Sequence, residues 1–323
     1  MTRTKLRWGI IGPGRIAHSF ARDIVDVGNA ELVAVASRDL RRAREFAQSY
    51  GLRRVHESYN ALFEDHGVDA VYVATPHSLH LDHCSQALRQ GKAVLSEKPL
   101  VTSPDECRQL TRVARESGRY LMEGMWTWYL PAVQRALEWY REGRIGSLLH
   151  VKSDFGYPLP YSENLREYDA LVGGGSVLEM GIYPVAIARL FIGRSPESTQ
   201  VLGRRAPNGV ENDVVAMCDY GDCIATLATS FRVKLQNWTY VIGTEGYIAI
   251  PDFWRAERCM LYQLDECIDT FSDGRHTLGF NYEVGEVSAD ILAGRTESGL
   301  IPLSTSLALQ NDMWAIRAAI HGY

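Results

Sequence analysis

The stretch Leu6-Arg-Trp-Gly-Ile-Ile-Gly-Pro-Gly-Arg-Ile-Ala17 decides the fold. Leu6 to Ile11 is a short apolar run of the kind that forms a buried parallel strand. Gly12-Pro-Gly-Arg-Ile-Ala17 follows at once and opens a helix expected to run to about Val27. This is the G-x-G-x-x-A form of a dinucleotide-binding turn: Gly12 makes the bend, Gly14 lets backbone approach a pyrophosphate, and Ala17 permits close helix packing. The helix start, with Arg15 and Ile16 in its first turn, offers free N–H groups to the phosphates. A glycine pattern alone is weak, and its position between a strand and a helix gives it weight.

Outward from this turn, strands and helices alternate. Glu31 to Ser37 reads as the second strand. Its end, about 20 residues past the glycines, is where an NAD-preferring site carries an acid for the ribose 2′-hydroxyl. Here it reads Ser37-Arg38, and a hydroxyl beside a guanidinium suits a 2′-phosphate, with Arg41 or Arg42 one turn on as helpers. NADP is therefore expected over NAD. Asp39 is the competing ribose ligand, and arginines on a helix, such as Arg41, Arg42 and Arg44, ordinarily form a solvated face. Helix 40–50, a weak strand at 54–56 and helix 59–65 lead to a strand at 69–75, then Thr75-Pro-His77 and a helix to Gln90. His77, His80 and His83 fall three apart, which invites a metal reading. No acid or thiol accompanies them at ligand spacing, so no metal is expected, and Thr75, Pro76, His77 and His80 read as a loop against the cofactor.

Ala93 to Leu95 is a further buried strand ending in Glu97-Lys98-Pro99, and Pro99 stops its ladder. Open α/β sheets bind ligands at the carboxyl ends of their strands, which marks Lys98 and Glu97 as site candidates. The bland alternative is a Lys98 that pairs with Glu97 and reaches solvent. Ser103-Pro-Asp-Glu106 is a capping box opening a helix to about Ser117, and 119–122 is the sixth strand. Residues 1–123 thus read as one doubly wound parallel domain.

The pattern changes over 124–323, which reads as an α+β domain with a large, mostly antiparallel open sheet. The aromatic cluster Trp126-Thr-Trp128-Tyr129 offers faces to stack on a ring. It precedes a helix from Pro131 to Glu142, a strand from Ser147 to Phe155 and a polar loop with Tyr157, Tyr161, Arg166, Tyr168 and Asp169. Loops this long ordinarily bind something. In Gly173-Gly-Gly-Ser-Val-Leu-Glu-Met-Gly-Ile-Tyr-Pro184, Ser176 and Glu179 have capping-box spacing, and Tyr183 lies on the face of Glu179. Pro184 removes the donor due to Met180 and disturbs the helix start. From about Thr199 to Leu264 the chain is strand-rich, with hairpins about Gly221-Asp222 and Thr244-Glu-Gly246, and helices 281–293 and 305–320 close it. One face of such a sheet suits a homodimer or homotetramer contact.

With 323 residues, 46% hydrophobic and 23% charged, the chain is expected to build two ordinary globular cores. A net charge of -5 excludes a basic field for nucleic acid or anionic membrane. The six cysteines form no C-x-x-C pair, and the N-terminus leads into a strand rather than a signal segment; a cytoplasmic protein is expected.

On the glycine turn, the Glu97-Lys98-Pro99 triplet and the Glu-Met-Gly-Ile-Tyr-Pro stretch, the chain resembles the Gfo/Idh/MocA oxidoreductase family over nearly its whole length. It is most similar to the branch of dimeric dihydrodiol dehydrogenase, NADP-dependent D-xylose dehydrogenase and glucose-fructose oxidoreductase. The resemblance implies that Lys98 and Tyr183 are a catalytic pair acting on a sugar, cyclic polyol or vicinal diol. A phenol of pKa about 10 is a poor base at pH 7, and a nearby ammonium favours its ionised form. It also implies a pocket formed by Trp126, Trp128, Arg166, Glu179 and Tyr183. Two departures bear on the substrate: Glu179 stands where the branch usually has aspartate, and Trp128 where it usually has arginine. A keto-sugar reductase and a non-catalytic NADP-binding sensor are the alternative readings.

Overall fold

Strands β1 (Leu6–Ile11), β2 (Ala30–Ala36), β3 (Arg54–His56), β4 (Ala70–Val73), β5 (Ala93–Glu97) and β6 (Leu121–Gly124) form one sheet in the order β3-β2-β1-β4-β5-β6 in the computed structural model, which describes residues 4–322. Every neighbouring pair is parallel. The short connections and apolar strands permit little else: each parallel crossover takes a helix, and both faces are then buried. The crossovers carry α1 (Arg15–Asp23), α2 (Leu40–Tyr50), α3 (Tyr59–Glu64), α4 (His80–Arg89) and α5 (Pro104–Ser117). The strand order reverses between β1 and β4, so the carboxyl edge there is the crevice in which doubly wound sheets bind ligands.

The α-helical part of the first crossover ends at Asp23, short of Val27, and a 3₁₀ turn over Ile24–Asp26 follows. Asp23 has other work. Its carboxylate accepts N–H bonds from Leu278 (3.2 Å), Gly279 (2.8 Å) and Phe280 (2.9 Å) at the start of α8 (Phe280–Leu292). The Trp8 indole of β1 also donates to Ser288 of α8 at 3.0 Å. These long-range bonds place His276–Leu307 in the same compact unit as the residues up to Trp126, whereas the reading from sequence alone gave all of 124–323 to the second domain.

The second unit comprises Thr127–Arg275 and the residues from Ala308 onward. Its strands are β7 (Leu148–Gly156), β8 (Ser198–Arg205), β9 (Glu211–Asp219), β10 (Ile224–Ser230), β11 (Thr239–Gly243), β12 (Tyr247–Ile250), β13 (Arg258–Gln263) and β14 (Glu266–Ser272), in the order β14-β13-β12-β11-β7-β10-β9-β8. All neighbours are antiparallel except β7 and β10, which run parallel. The β13–β14 hairpin turns at Leu264 with φ 51°, a left-handed conformation that no glycine or asparagine announces, so the strand beyond it is silent in the sequence.

Helices α6 (Pro131–Arg141) and α7 (Ile182–Ile192) pack on this sheet, and α9 (Leu303–His321) closes the chain. The segment Ala170–Ile192 is apolar and long enough to cross a membrane by composition, yet its apolar window is 72% buried within the protein, which accounts for its hydropathy.

Candidate active site

In the first unit the glycine turn sits at the carboxyl end of β1. Gly12 adopts φ 78°, and a β-carbon there would stand 2.7 Å from the Ala74 carbonyl oxygen just past β4. Only glycine satisfies both constraints. Gly14 is different: a β-carbon would meet nothing closer than the Gly12 carbonyl oxygen at 3.9 Å. The protein's own packing does not require glycine there, and open space above a backbone is what a pyrophosphate needs. Gly14 is the extended N-cap of α1; no side chain caps that helix, no acid lies in its first turn, and Ala17 is fully buried behind it. Arg15 and Ile16 are exposed in the first turn.

At the end of β2, Ser37 is buried and its hydroxyl accepts the Asp39 N–H at 3.2 Å. Asp39 caps α2 through the N–H groups of Arg41 (2.9 Å) and Arg42 (3.3 Å), both of which its Oδ1 accepts. Arg41 pairs with Glu45 at 2.9 Å. Arg38 and Arg42 are exposed with no carboxylate partner among the described residues. Two unneutralised guanidiniums at this edge, with Tyr59 beside them, leave the crevice end positive.

The histidines separate. His77 is buried at the first turn after Pro76. His83 accepts or donates at Nδ1 to the Thr75 hydroxyl at 3.0 Å, and burial pushes its pKa down. His80 is fully buried: Nε2 meets the Thr75 carbonyl oxygen at 2.8 Å and Nδ1 the Pro99 carbonyl oxygen at 2.9 Å. The expectation that His80 touches the cofactor is therefore corrected. It ties the end of β4 to the end of β5 because both ring nitrogens are spent on backbone.

That tie is one of several on the stretch Glu97 to Leu100, whose Lys98–Pro99 peptide is cis. Glu97 accepts from the Tyr72 hydroxyl, and its other oxygen accepts the Lys98 N–H at 3.2 Å. Glu123, fully buried, accepts the Leu100 N–H at 2.7 Å. Burial pushes the Glu123 carboxyl up, while Ser306, Leu100 and the Lys98 ammonium pull it down. Lys98, Pro99 and Leu100 are thus held in succession by Glu97, His80 and Glu123, which fixes the backbone that carries the lysine side chain.

In the second unit the helix start before α7 is irregular in an informative way. Val177–Gly181 is a π turn, with hydrogen bonds closed one residue further than in an α-helix. Ser176 is already helical (φ -64°, ψ -29°) and its buried hydroxyl caps nothing, so the expected capping box with Glu179 is absent. The Glu179 carboxylate instead takes the Arg166 guanidinium at 2.6 Å. The wide turn precedes Pro184, whose missing N–H and ring would break a regular ladder four residues after Met180. Tyr183 is 7% exposed, with Phe155 edge-on at 5.3 Å and Trp254 at 6.2 Å.

The loop that carries Arg166 is anchored rather than open. Tyr168 is buried, donates to the Leu159 carbonyl oxygen at 2.6 Å and packs on Tyr161 and Phe231. At Gly174 a β-carbon would stand 2.8 Å from backbone atoms of Asp169 and Glu167, so glycine there lets the loop fold onto itself.

Of the expected stacking faces, Trp126 is buried in the first unit with Phe280 stacked on it at 4.6 Å, and Trp128 is buried in the second. Aromatic groups beside Tyr183 include Phe155 and Trp254, which the sequence reading missed. Trp254 follows Asp252, whose φ of 42° kinks the chain after β12. Its one signal was an aromatic pair, Phe253-Trp254, in a turn beside Pro251.

Residues 6–125 match the sequence profile described as the oxidoreductase family with an NAD-binding Rossmann fold, and residues 133–249 the GFO/IDH/MocA C-terminal domain. The chain is 33% identical over 328 residues to the trans-1,2-dihydrobenzene-1,2-diol dehydrogenase of Macaca fascicularis, covering 98% of this chain and 97% of that one. The human enzyme of the same name is 33% identical over 330 residues, with coverage of 98% and 97%. Among solved structures, a 3-ketoreductase from Actinomadura kijaniata in complex with NADP and TDP-benzene superposes with a TM-score of 0.86 at 28% identity, covering 98% of both chains. An aldose-aldose oxidoreductase from Caulobacter crescentus shares the fold with a TM-score of 0.90 at 24% identity, covering 99% of this chain and 98% of that one.

Proposed function

The chain belongs to the Gfo/Idh/MocA oxidoreductase family, and from that premise we propose that it is an NADP-dependent dehydrogenase/reductase. It interconverts a hydroxyl and a carbonyl on a sugar, cyclic polyol or vicinal diol, with Lys98 and Tyr183 as its catalytic pair. The observation that carries this reading is the rigid presentation of Lys98, whose flanking atoms are held by Tyr72, His80 and Glu123 at the carboxyl edge of the parallel sheet. Holding the backbone that carries an ammonium favours preorganisation of its charge.

The residues of the first unit suit the dinucleotide. Gly12, Gly14 and the uncapped start of α1 with Arg15 and Ile16 would hold its pyrophosphate, Ser37, Arg38 and Arg42 its 2′-phosphate, and Thr75, Pro76, His77 and Glu97 would line its nicotinamide half. When bound, NADP(H) supplies or accepts the hydride. In oxidation Tyr183 takes the hydroxyl proton; in reduction it returns the proton while Lys98 polarises the carbonyl oxygen. Arg166 and Glu179 bind hydroxyls. Arg166 is paired with both Glu179 and Glu167, so no uncompensated positive charge remains there to hold an anion, which favours a neutral polyhydroxy compound. Two relatives named as diol dehydrogenases support the oxidative direction, and the 3-ketoreductase solved with NADP supports reduction of a keto-sugar as the second reading.

The test is a fluorescence titration with NADPH and NADH, followed by a screen of aldoses, cyclic polyols and dihydrodiols for change in nicotinamide absorbance. Turnover on any of them supports the reading; binding without turnover on any compound, keto-sugars included, leaves the sensor reading in its place. Arg38→Ala is expected to weaken NADPH by roughly 1.5 to 3 kcal/mol more than NADH, the worth of a charged hydrogen bond. Equal weakening of both would mean that this strand end does not read the phosphate.

The protein acts in the cytoplasm as a homodimer or homotetramer through the outer face of the second unit's sheet. Leu202, Val215, Met217 and Ile224 stand exposed there, and exposed apolar side chains on one sheet face favour association. Sedimentation as a monomer at micromolar concentration would refute this.

A further inference from the structure

The parallel sheet has a second edge that the site described above does not use. At the amino ends of β1, β4, β5 and β6, opposite the glycine turn, lies a cavity of about 620 Å³ walled by residues of the first unit. Around it stand His66 and Asp69 before β4, Gln90 and Lys92 before β5, Arg119 before β6 and Arg295 after α8. Leu6, Ile291 and Leu292 add apolar wall. A space of this size suits a small organic molecule rather than a lone ion.

The charges about this cavity do not balance. Asp69 is the one carboxylate of the lining, and each of its oxygens accepts from the Arg7 guanidinium at 2.8 Å. Arg295 pairs with Asp290 at 2.6 Å. Lys92 and Arg119 make no ion pair with a carboxylate among the described residues. Lys92 is only 6% exposed, and its ammonium donates to the carbonyl oxygens of Asp65 at 2.7 Å and Val68 at 2.8 Å, which leaves one of its three N–H bonds without a protein partner. A lysine this deeply buried is ordinarily paired with an anion. The Arg119 guanidinium lies over Gly91, the residue before Lys92: a β-carbon on that glycine would stand 3.5 Å from Nη2. The two cations thus flank one glycine at the cavity wall.

Helices α4, α5 and α8 all end here, and cations near helix C-termini often serve the helix ends. Lys92 does so in part, since Asp65 is the C-cap of α3. Arg119 does not, because its side chain hydrogen-bonds no carbonyl among the described residues. Its charge and its planar fork of donors are left for a ligand. We propose that this cavity binds a small organic anion through a phosphate or carboxylate group held by Arg119 and Lys92. The guanidinium takes two oxygens of that group side by side, the ammonium adds a point charge, and Gln90 and His66 bond polar atoms of the attached body. The site stands apart from the dinucleotide edge and does not rest on that reading.

Calorimetric titration of the full-length protein with glucose 6-phosphate, citrate and inorganic phosphate tests this. At least one of the two organic anions is expected to bind roughly tenfold more tightly than inorganic phosphate, because the apolar wall and Gln90 reach only an organic body. Whichever binds identifies the head group. Arg119→Gln is expected to weaken that binding roughly ten- to 100-fold, the worth of one charged hydrogen bond, and to melt at the wild-type temperature. Arg119→Lys, which keeps the charge and loses the fork, is expected to lie between the two. Arg38→Ala, at the opposite edge, is expected to bind the anion as the wild-type protein does. Failure of all three anions to bind the wild-type protein overturns the proposal. So does an inorganic phosphate that binds as tightly as both organic anions, which means an adventitious ion only. Binding that Arg119→Gln leaves unchanged, or that Arg38→Ala abolishes, lies elsewhere and overturns it as well. Should Arg119→Gln melt early, Arg119→Lys decides: affinity equal to that of the wild-type protein overturns the proposal.

Discussion

Replacing Tyr183 by phenylalanine is expected to lower kcat by roughly 100- to 10,000-fold, the range that a positioned general acid or base contributes. The substitution removes one oxygen and little else. The ring of Tyr183 is held by Phe155 edge-on at 5.3 Å and by Trp254, and these contacts involve carbon atoms that phenylalanine retains. Thermal stability is therefore expected to change by no more than about 1 kcal/mol, the worth of one net hydrogen bond. The NADPH dissociation constant is expected to stay within about twofold, because the dinucleotide is assigned to groups of the first unit. Stopped-flow measurement of a single hydride transfer separates chemistry from product release. A single-turnover rate equal to that of the wild-type protein would remove Tyr183 from proton transfer, whatever the steady-state kcat does.

The size of that effect depends on how the helix start is built, and this part of the site was only partly legible in the sequence. Pro184 announced a disturbance, since a missing N–H four residues after Met180 must break the α-helical ladder somewhere. What the sequence did not reveal is the resolution of the disturbance as a π turn over Val177–Gly181. Nor did it reveal that Glu179, with the spacing of a capping residue, would pair with Arg166 instead. A capping box and an ion pair can use the same glutamate, and local spacing favours the first while a loop arriving from 13 residues upstream supplies the second. The parallel sheet was legible for the opposite reason. Its strands are apolar runs separated by helical periodicity, and crossover handedness and strand pairing then follow from few choices.

The histidines show the same limit on a smaller scale. Their spacing of three placed His77, His80 and His83 together at the end of β4, and the structure does place them there. It was burial, which spacing does not encode, that turned His80 inward onto the carbonyl oxygens of Thr75 and Pro99. Phe155 and Trp254 were missed because they meet across the sheet from segments about 100 residues apart, and no local pattern couples such positions.

Lys98→Met is expected to lower kcat by roughly 100- to 1,000-fold, the cost of removing one preorganised charge or donor from a developing oxyanion. Methionine keeps the length and the apolar stem of the side chain, and the backbone around residue 98 is held by groups that do not involve the ammonium. Glu97 accepts the main-chain N–H of residue 98, His80 holds the Pro99 carbonyl oxygen and Glu123 holds the Leu100 N–H. The loop is therefore expected to stay in place, and the loss reports the charge alone. The double variant gives the sharper result. If Lys98 and Tyr183 act on the same proton, one stabilising the phenolate that the other forms, removing both should cost about as much as removing the more important one. Multiplicative losses, so that the double variant is slower by the product of the two single effects, would mean that the residues act independently. In that case Lys98 would serve the carbonyl oxygen only, and the activation of Tyr183 would have to come from another group of the second unit.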